Sequence, residues 1–590
     1  MRLSQLLTGF LFIFGLILPV AILGQHNTHP YEHPVFHAIE EAKQAGTLTL
    51  DESILQKFYA AYQSENLRSE FRYQADARPI KCMVPVTQYY LHLKDQLSAS
   101  TVSEIETMVQ ASASDTEFSY ISPSGAFIFH FDTTGTDAVP TEQSLPAAIE
   151  AGIPDYIYHA AFAADSSYHY QVEDLGFTDF ILEEPYEIDF HNFGFYGTTT
   201  ASGSTSFITV HSNFHNFPPN THPDGNQIGA LYVTLAHEIK HAIQYANNRW
   251  RGSAGSFDWI EMDATMMEEI VFNDVNDYYN YIKENLFSDQ PNLSSIFGIP
   301  QNPIPGAYWH VTWMLYFAEE YGMEFWVDVW QDVRAEPLIS FTNAIENQLT
   351  ARNENFGPNH LRNHLWHLSS GNRFSQTEFG FREREFYPNA SIRDELFSVP
   401  DSLSDTGLRS LGAHYLRASA FTSAIGQPNF RLQSSVPGVG IGVIGLFHDG
   451  SARNLYSVNE SASSQQIQMP WTWNELADIY IAVVNTNRSR SADYTLILDS
   501  IVPDEDILAQ NYPNPFSVAS RIEFSLNNRK NVRIDVHDSI GRRISTLVNE
   551  RLNEGFHQVD FDGSGLASGV YFYRIITDQA VTTNKMILIK

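Results

Sequence analysis

Cysteine is almost absent: Cys82 stands alone in 590 residues. That scarcity excludes an intramolecular disulfide framework and every multi-cysteine zinc knuckle, iron–sulfur or CxxC redox site, so any metal must be held mainly by histidine and carboxylate. Positive charge is scarce too, with 35 Lys and Arg against 69 Asp and Glu and a formal charge of −34. A field of that sign repels phosphate backbones and anionic headgroups, which excludes nucleic acid as a partner. Charged residues make up only 18% of the chain while 43% are hydrophobic and 13% aromatic, so wholesale disorder is excluded as well. After the N-terminus no run approaches the roughly 20 apolar residues needed to cross a bilayer, and no membrane span is expected in the mature protein.

At the N-terminus, Arg2 precedes a largely apolar run from Leu6 to Leu23 that ends near Gly24 and Gln25, the pattern of a signal peptide over residues 1–24. Residues 25–118 form an N-terminal segment, read as helical and as a pro-segment. Its apolar positions (Phe36, Ile39, Ala42, then Ile54, Phe58, Tyr62) recur at helical spacing and are broken by Gly46. Residues 119–395 form the next unit. Phe127, Phe129 and Phe131 alternate as on a strand, Tyr186 to Phe190 and Phe207 to His211 are further strand candidates, and Ile157 to Tyr168 reads as a helix. Residues 226–380 then read mostly as helices. Short alternating runs separated by Gly, Ser and Asn predict a β-sandwich over 397–502, an acidic linker at Pro503 to Asp506, and a second small β domain over 507–590. The expected fold class is therefore α+β and multidomain, a small mixed sheet followed by helices, then two β-sandwiches.

The chemistry concentrates in Leu235-Ala236-His237-Glu238-Ile239-Lys240-His241-Ala242-Ile243-Gln244-Tyr245, an HExxH within a run free of Gly and Pro from Ala230 to Trp250. Residues at i and i+4 share a helix face, so both imidazoles can bind one Zn²⁺ while Glu238 lies beside the attacking water as general base. About twenty residues on, Glu261 in a second breaker-free run is the best third ligand, with Asp263, Glu268 and Glu269 as rivals that could support the ligands or face solvent.

HExxH followed by Glu on a second helix resembles the thermolysin-like gluzincin metallopeptidases. The flanking residues, HExxHAxQ from His237 to Gln244, then Trp259, Glu261 and Ala264, are more similar still to a group of bacterial secreted metalloproteases. The likeness runs from about Ser124 to Asn372 and takes in Ser124-Gly125-Ala126-Phe127, Asp132-Thr133-Thr134-Gly135 and Gly152-Ile153-Pro154-Asp155-Tyr156. It implies a zincin-like catalytic domain, one catalytic zinc on His237, His241 and Glu261, and hydrolysis of peptide bonds by a zinc-activated water. It also implies an oxyanion donor from a later helix, for which Tyr308 is preferred over His310. Two departures stand out. Met262 occupies a place where gluzincins often have a small residue, and Ala148-Ile149-Glu150-Ala151 replaces an Asp/Asn-rich turn, which leaves calcium possible but unsupported.

The tail carries Gln510-Asn511-Tyr512-Pro513-Asn514-Pro515-Phe516, Gly541-Arg542-Arg543 and Gly563 to Arg574 in order. It resembles the C-terminal sorting domain of type IX secretion cargo, which implies engagement of that machinery through residues 507–590 and a secreted or cell-surface product. The expected function is a secreted zinc metalloprotease acting on proteins or peptides. The alternative is a surface adhesion or glycan-binding protein with a vestigial or accessory metallopeptidase domain; the sequence shows no exposed aromatic platform, and Trp471 and Trp473 are the candidates to contribute to one. Cys82 is expected as a small buried hydrophobe, with a metal-binding latch as the sharper possibility. His360, His364 and His367 read as helix packing, and Gly440 to Gly445 as a formal GxGxxG without a helix behind it.

Overall fold

A computed structural model of the chain describes residues 33–590 apart from 76–78, 112–115, 184, 283–294, 298, 301–303, 420, 422–423, 502–507, 527–528 and 578–580. The expected signal peptide and the acidic linker Pro503 to Asp506 lie outside the described residues. Helices and several sheets alternate through the first two thirds of the chain, and the last third is β-rich.

The N-terminal segment opens with α1 (Pro34–Gln44) and α2 (Leu50–Tyr62), separated at Gly46 as the periodicity predicts. Thr49 and Glu52 close a capping box at the start of α2, which satisfies amide donors left over in the first turn. After α3 (Ser69–Ala75) the chain departs from the helical expectation. Ile80–Cys82 is a strand, β1, followed by α4 (Val84–Leu93) and α5 (Ala99–Ala111). β1 does not stay with the helices but joins the sheet of the next unit, so the segment read as residues 25–118 is built into its neighbour.

That sheet contains β2 (Phe118–Ile121), β3 (Phe127–Phe131), β4 (Tyr186–His191), β5 (Phe195–Ser202) and β6 (Thr205–His211), in the order β1-β5-β6-β4-β3-β2. Phe127, Phe129 and Phe131 all point into the core, as their alternation predicts. Between β3 and β4 run α6 (Pro146–Ala151), stopped by Gly152 in the left-handed region, and α7 (Asp155–Tyr168). The run Ala148 to Ala151 is thus helix, not a cation-binding turn.

α8 (Asn226–Asn248) follows β6 and lies against β5 and β6, with α7 and α9 (Phe257–Val271) beside it. Every residue from Gly229 to Gln244 is buried, so this is a helix through the core and not a surface amphipath. Gly197 of β5 makes the close approach possible: a Cβ there would meet Thr234 Cγ2 at 2.7 Å and Glu238 Cγ at 3.1 Å. The short α10 (Tyr279–Ile282) is followed by α11 (Val311–Tyr321), α12 (Glu324–Ala335), α13 (Phe341–Ala351) and α14 (Phe356–Leu368), whose aromatic and aliphatic residues complete the largest core.

The β-rich third has two sandwich cores. The first pairs a six-stranded with a four-stranded sheet, and the second a three-stranded with a four-stranded one. The first reaches back past the expected boundary near residue 396. Gln376–Thr377 and Asp394–Leu396 are strands of its six-stranded sheet, and α14 packs on its outer face. There the formal GxGxxG is strand Val439–Phe447. Side chains at Gly440 and Gly442 would meet Leu361 at 2.4 Å and Leu365 at 2.8 Å, so these glycines admit a helix and not a phosphate.

Candidate metal centre

α8 places His237 and His241 one turn apart, with ring centroids 4.6 Å from each other, and α9 brings Glu261 up to both. The two Nε2 atoms are 3.0 Å apart, and the Glu261 carboxylate oxygens lie 3.1 Å from His237 Nε2 and 3.2 Å from His241 Nε2. Cys82 Sγ of β1 closes the group at 3.5 Å from His241 Nε2. Ligands at about 2.0–2.1 Å from a tetrahedral metal stand about 3.3–3.4 Å apart, and a thiolate at about 2.3 Å stands about 3.5–3.6 Å from a nitrogen. His237, His241 and Glu261 therefore match the spacing of ligands on a single tetrahedral metal ion, and Cys82 Sγ lies within 4.8 Å of the ligand atoms of all three. Among the described residues, Cys82, His237, His241 and Glu261 are the one group of His, Cys and carboxylate close enough to hold such an ion.

The second nitrogen of each imidazole is also held. Glu268 Oε1 accepts from His237 Nδ1 at 2.7 Å, and Gln244 Oε1 accepts from His241 Nδ1 at 2.8 Å. Both Nε2 lone pairs are thereby turned inward, as metal binding requires. Gln244 is fixed in turn by donating to Asp263 Oδ2 at 2.7 Å and to the Ile260 carbonyl at 3.0 Å. This gives the glutamine of HAxQ, whose role the sequence left unassigned, a place beside His241, and it puts Glu268 and Asp263 behind the candidate ligands. Gln244→Ala is expected to weaken metal affinity about 10- to 100-fold, measured by competition with a chromophoric chelator. Unchanged affinity would show that His241 holds its orientation unaided.

Glu238 lies beside this group, fully buried. Thr199 Oγ1 of β5 donates to its Oε2 at 2.8 Å, while Oε1 has no hydrogen-bond partner among the described residues. Burial raises the Glu238 carboxyl above its ordinary range against the pull of His241 and His237. Burial lowers His237, but Glu261 and Glu268 outweigh it and push the imidazole up to about 10. Burial raises Glu261, but His241 and His237 outweigh it and hold the carboxyl well down. Burial, with Glu238 and Glu261 nearby, pushes the Cys82 thiol well up. Behind His237, Glu268 also pairs with the Lys81 ammonium at 2.9 Å, and Lys81 reaches Asp277 at 2.6 Å.

Tyr308, in a short 3₁₀ turn (Ala307–His310), places its ring 6.1 Å from that of His237. His310 sits instead over Gly306, where an added Cβ would meet its Nδ1 at 2.3 Å, and burial lowers its imidazole to about 3. His360, His364 and His367 are buried on α14 with hydrogen bonds to Trp313, Tyr415 and Thr312. Trp473 is 1% exposed and belongs to the sandwich core, and Trp471 packs edge-on against Phe447, so the aromatic platform imagined for glycan binding is not formed by this pair.

Residues 510–590 match the family described as the secretion system C-terminal sorting domain. This tail directs export across the outer membrane to the cell surface or medium and engages the type IX secretion machinery. No helix among the described residues is long and apolar enough to cross a membrane. Among curated proteins no sequence matches the chain significantly. Of solved structures, dimeric latent PorU from Porphyromonas gingivalis aligns at 17% identity and a TM-score of 0.15 over 33% of this chain and 19% of that one. A Faecalibacterium prausnitzii β-glucuronidase aligns at 10% identity and 0.12, over 30% and 36%. The PBSX exported protein XepA aligns at 8% and 0.14, over 32% and 84%. Likenesses this slight carry nothing about activity, and the chain spans well under two thirds of the first two.

Proposed function

We propose that this exported protein is a zinc-dependent metallopeptidase of the thermolysin-like type, with a zincin-like catalytic unit built on α8, α9 and the sheet beside them. One observation carries the reading: His237 Nε2, His241 Nε2 and the Glu261 carboxylate converge within 3.2 Å of one another, with the free oxygen of Glu238 alongside. Zinc held by His237, His241 and Glu261 would supply Lewis acidity, polarising a peptide carbonyl and acidifying water. Glu238 Oε1 is the atom left free to take the proton of the attacking water and return it to the departing amine, while Thr199 fixes Oε2. Tyr308 supplies a hydroxyl on the His237 side of the site for the developing oxyanion.

The test is metal analysis joined to peptide cleavage. About one zinc per chain is expected, with cleavage of a casein-like protein abolished by chelation and restored by zinc. Purified mature protein that binds no zinc, or that cleaves equally well after chelation, refutes the proposal.

A further inference from the structure

The proposed peptidase site is closed. His237 is 2% exposed, Cys82 3%, and Glu238, His241 and Glu261 0%. A site that hydrolyses peptides must admit both water and an extended chain, and the element that shuts this one is β1. It adds in parallel to β5, with Ile80 opposite Phe195 and Cys82 opposite Gly197. The Ile80 amide donates to the Gly194 carbonyl at 2.9 Å, and the Met83 amide to the Gly197 carbonyl at 3.4 Å. A sheet edge next to a catalytic group is where an extended peptide gains main-chain hydrogen bonds, and β1 has taken that edge directly beside Glu238.

We infer that residues 80–83 occupy the substrate's place on β5, and that Cys82 is the fourth ligand of the metal, so the chain is made as a latent peptidase. Resting on the zinc reading above, this gives the closed site a regulatory meaning. The side chain that meets His237, His241 and Glu261 is a thiol, not a peptide carbonyl, so the bound segment offers nothing to cleave. Its 3.5 Å separation from His241 Nε2 is the spacing of a metal-bound sulfur and nitrogen. The sulfur also accepts from the Val84 amide at 3.4 Å, at the first turn of α4, where the helix end favours negative charge.

A second anchor lies on the other face of β1, where Lys81 pairs with Glu268 and Asp277 and stacks 4.4 Å from the Tyr196 ring. Glu268 also holds His237, so one carboxylate ties the segment and the metal ligand together. Glu238, on the same side as Cys82, is fully buried, and its Oε1 has no hydrogen-bond partner among the described residues. On closing, the thiol gives its proton to solvent and a metal–sulfur bond forms. On opening, that bond breaks, the sulfur takes a proton back, and water enters the vacated position.

The helices that carry β1 pack apart from the body that holds the site, although Cys82 and Val84 belong to that body's core. Val35, Phe36, Ile39, Ile54, Phe58 and Met83 form a core of their own, which reaches the sheet at Phe195.

The experiment uses the full chain loaded with Co²⁺, wild type beside Cys82→Ser and Cys82→Ala. A thiolate-to-cobalt charge-transfer band in the near ultraviolet is expected in the wild type and in neither variant, with about one metal per chain in all three. Peptidase activity of the zinc-loaded full chain should rise about tenfold or more in both variants as the open fraction grows. Metal uptake by the wild type without the band leaves the peptidase reading standing and overturns the role of Cys82. A band joined to loss of activity in the variants makes the cysteine a working ligand and overturns latency. No metal uptake by any of the three removes the metal site itself and this inference with it.

Discussion

Glu238→Gln is expected to lower peptide cleavage about 10²- to 10⁴-fold while the protein keeps its metal, the span that a positioned general acid–base contributes. The change is nearly isosteric, which matters because Glu238 Cγ sits where a Cβ on Gly197 would come within 3.1 Å. Glutamine refills that space and can still accept from Thr199, so neither packing nor the neighbouring ligands should shift. It cannot take a proton from water. The loss should therefore fall on kcat/KM of the opened enzyme, with metal content and thermal midpoint unchanged. Activity within about tenfold of wild type would mean another group moves the proton and would break the assignment.

Lys81→Met is expected to destabilise the body that holds the site by about 3–5 kcal/mol, the cost of leaving a buried charge without its partner. Lys81 is 5% exposed, and its ammonium stands between Glu268 and Asp277 at 2.9 and 2.6 Å. Methionine keeps the stem's volume but takes the ammonium from both carboxylates, leaving Glu268 with His237 and Asp277 with only the Tyr196 hydroxyl and the Asn280 amide. Calorimetry of the full chain should show the transition of that body falling by roughly 10 °C while the sorting tail, whose core shares no residue with it, melts where it did. A fall below about 2 °C would rank the pair with exposed ion pairs and imply that water reaches it.

Much of this was legible in the chain. Two histidines and a glutamate in breaker-free runs have few ways to meet, and α8 and α9 bring them together as helix geometry dictates. The phenylalanine alternation of β3 and the two-helix opening of the N-terminal segment were equally plain. What escaped was β5. Its Thr198, Thr199 and Thr200 with Gly197 carry little apolar signal, because the strand is buried by neighbours on both faces and needs no alternation of its own. Thr199 was therefore invisible as the partner of Glu238. Lys81 escaped for a related reason: a lone lysine between apolar residues looks like a solvent-facing strand position until its partners, 187 and 196 residues away, are brought beside it. The reach of the first sandwich back to Gln376 was hidden by strands of two and three residues, too short to show a period.

The glycines of strand Val439–Phe447 set one more condition on how the molecule can be divided. Because Gly440 and Gly442 let α14 sink its Leu361 and Leu365 into the sandwich, with Leu368 in the same cluster, a chain cut near residue 396 would turn these leucines out to water. The helical unit that ends in α14 and the first sandwich consequently share one buried cluster and are expected to unfold together. Among the described residues, by contrast, the cores of the first sandwich and of the export tag share no residue.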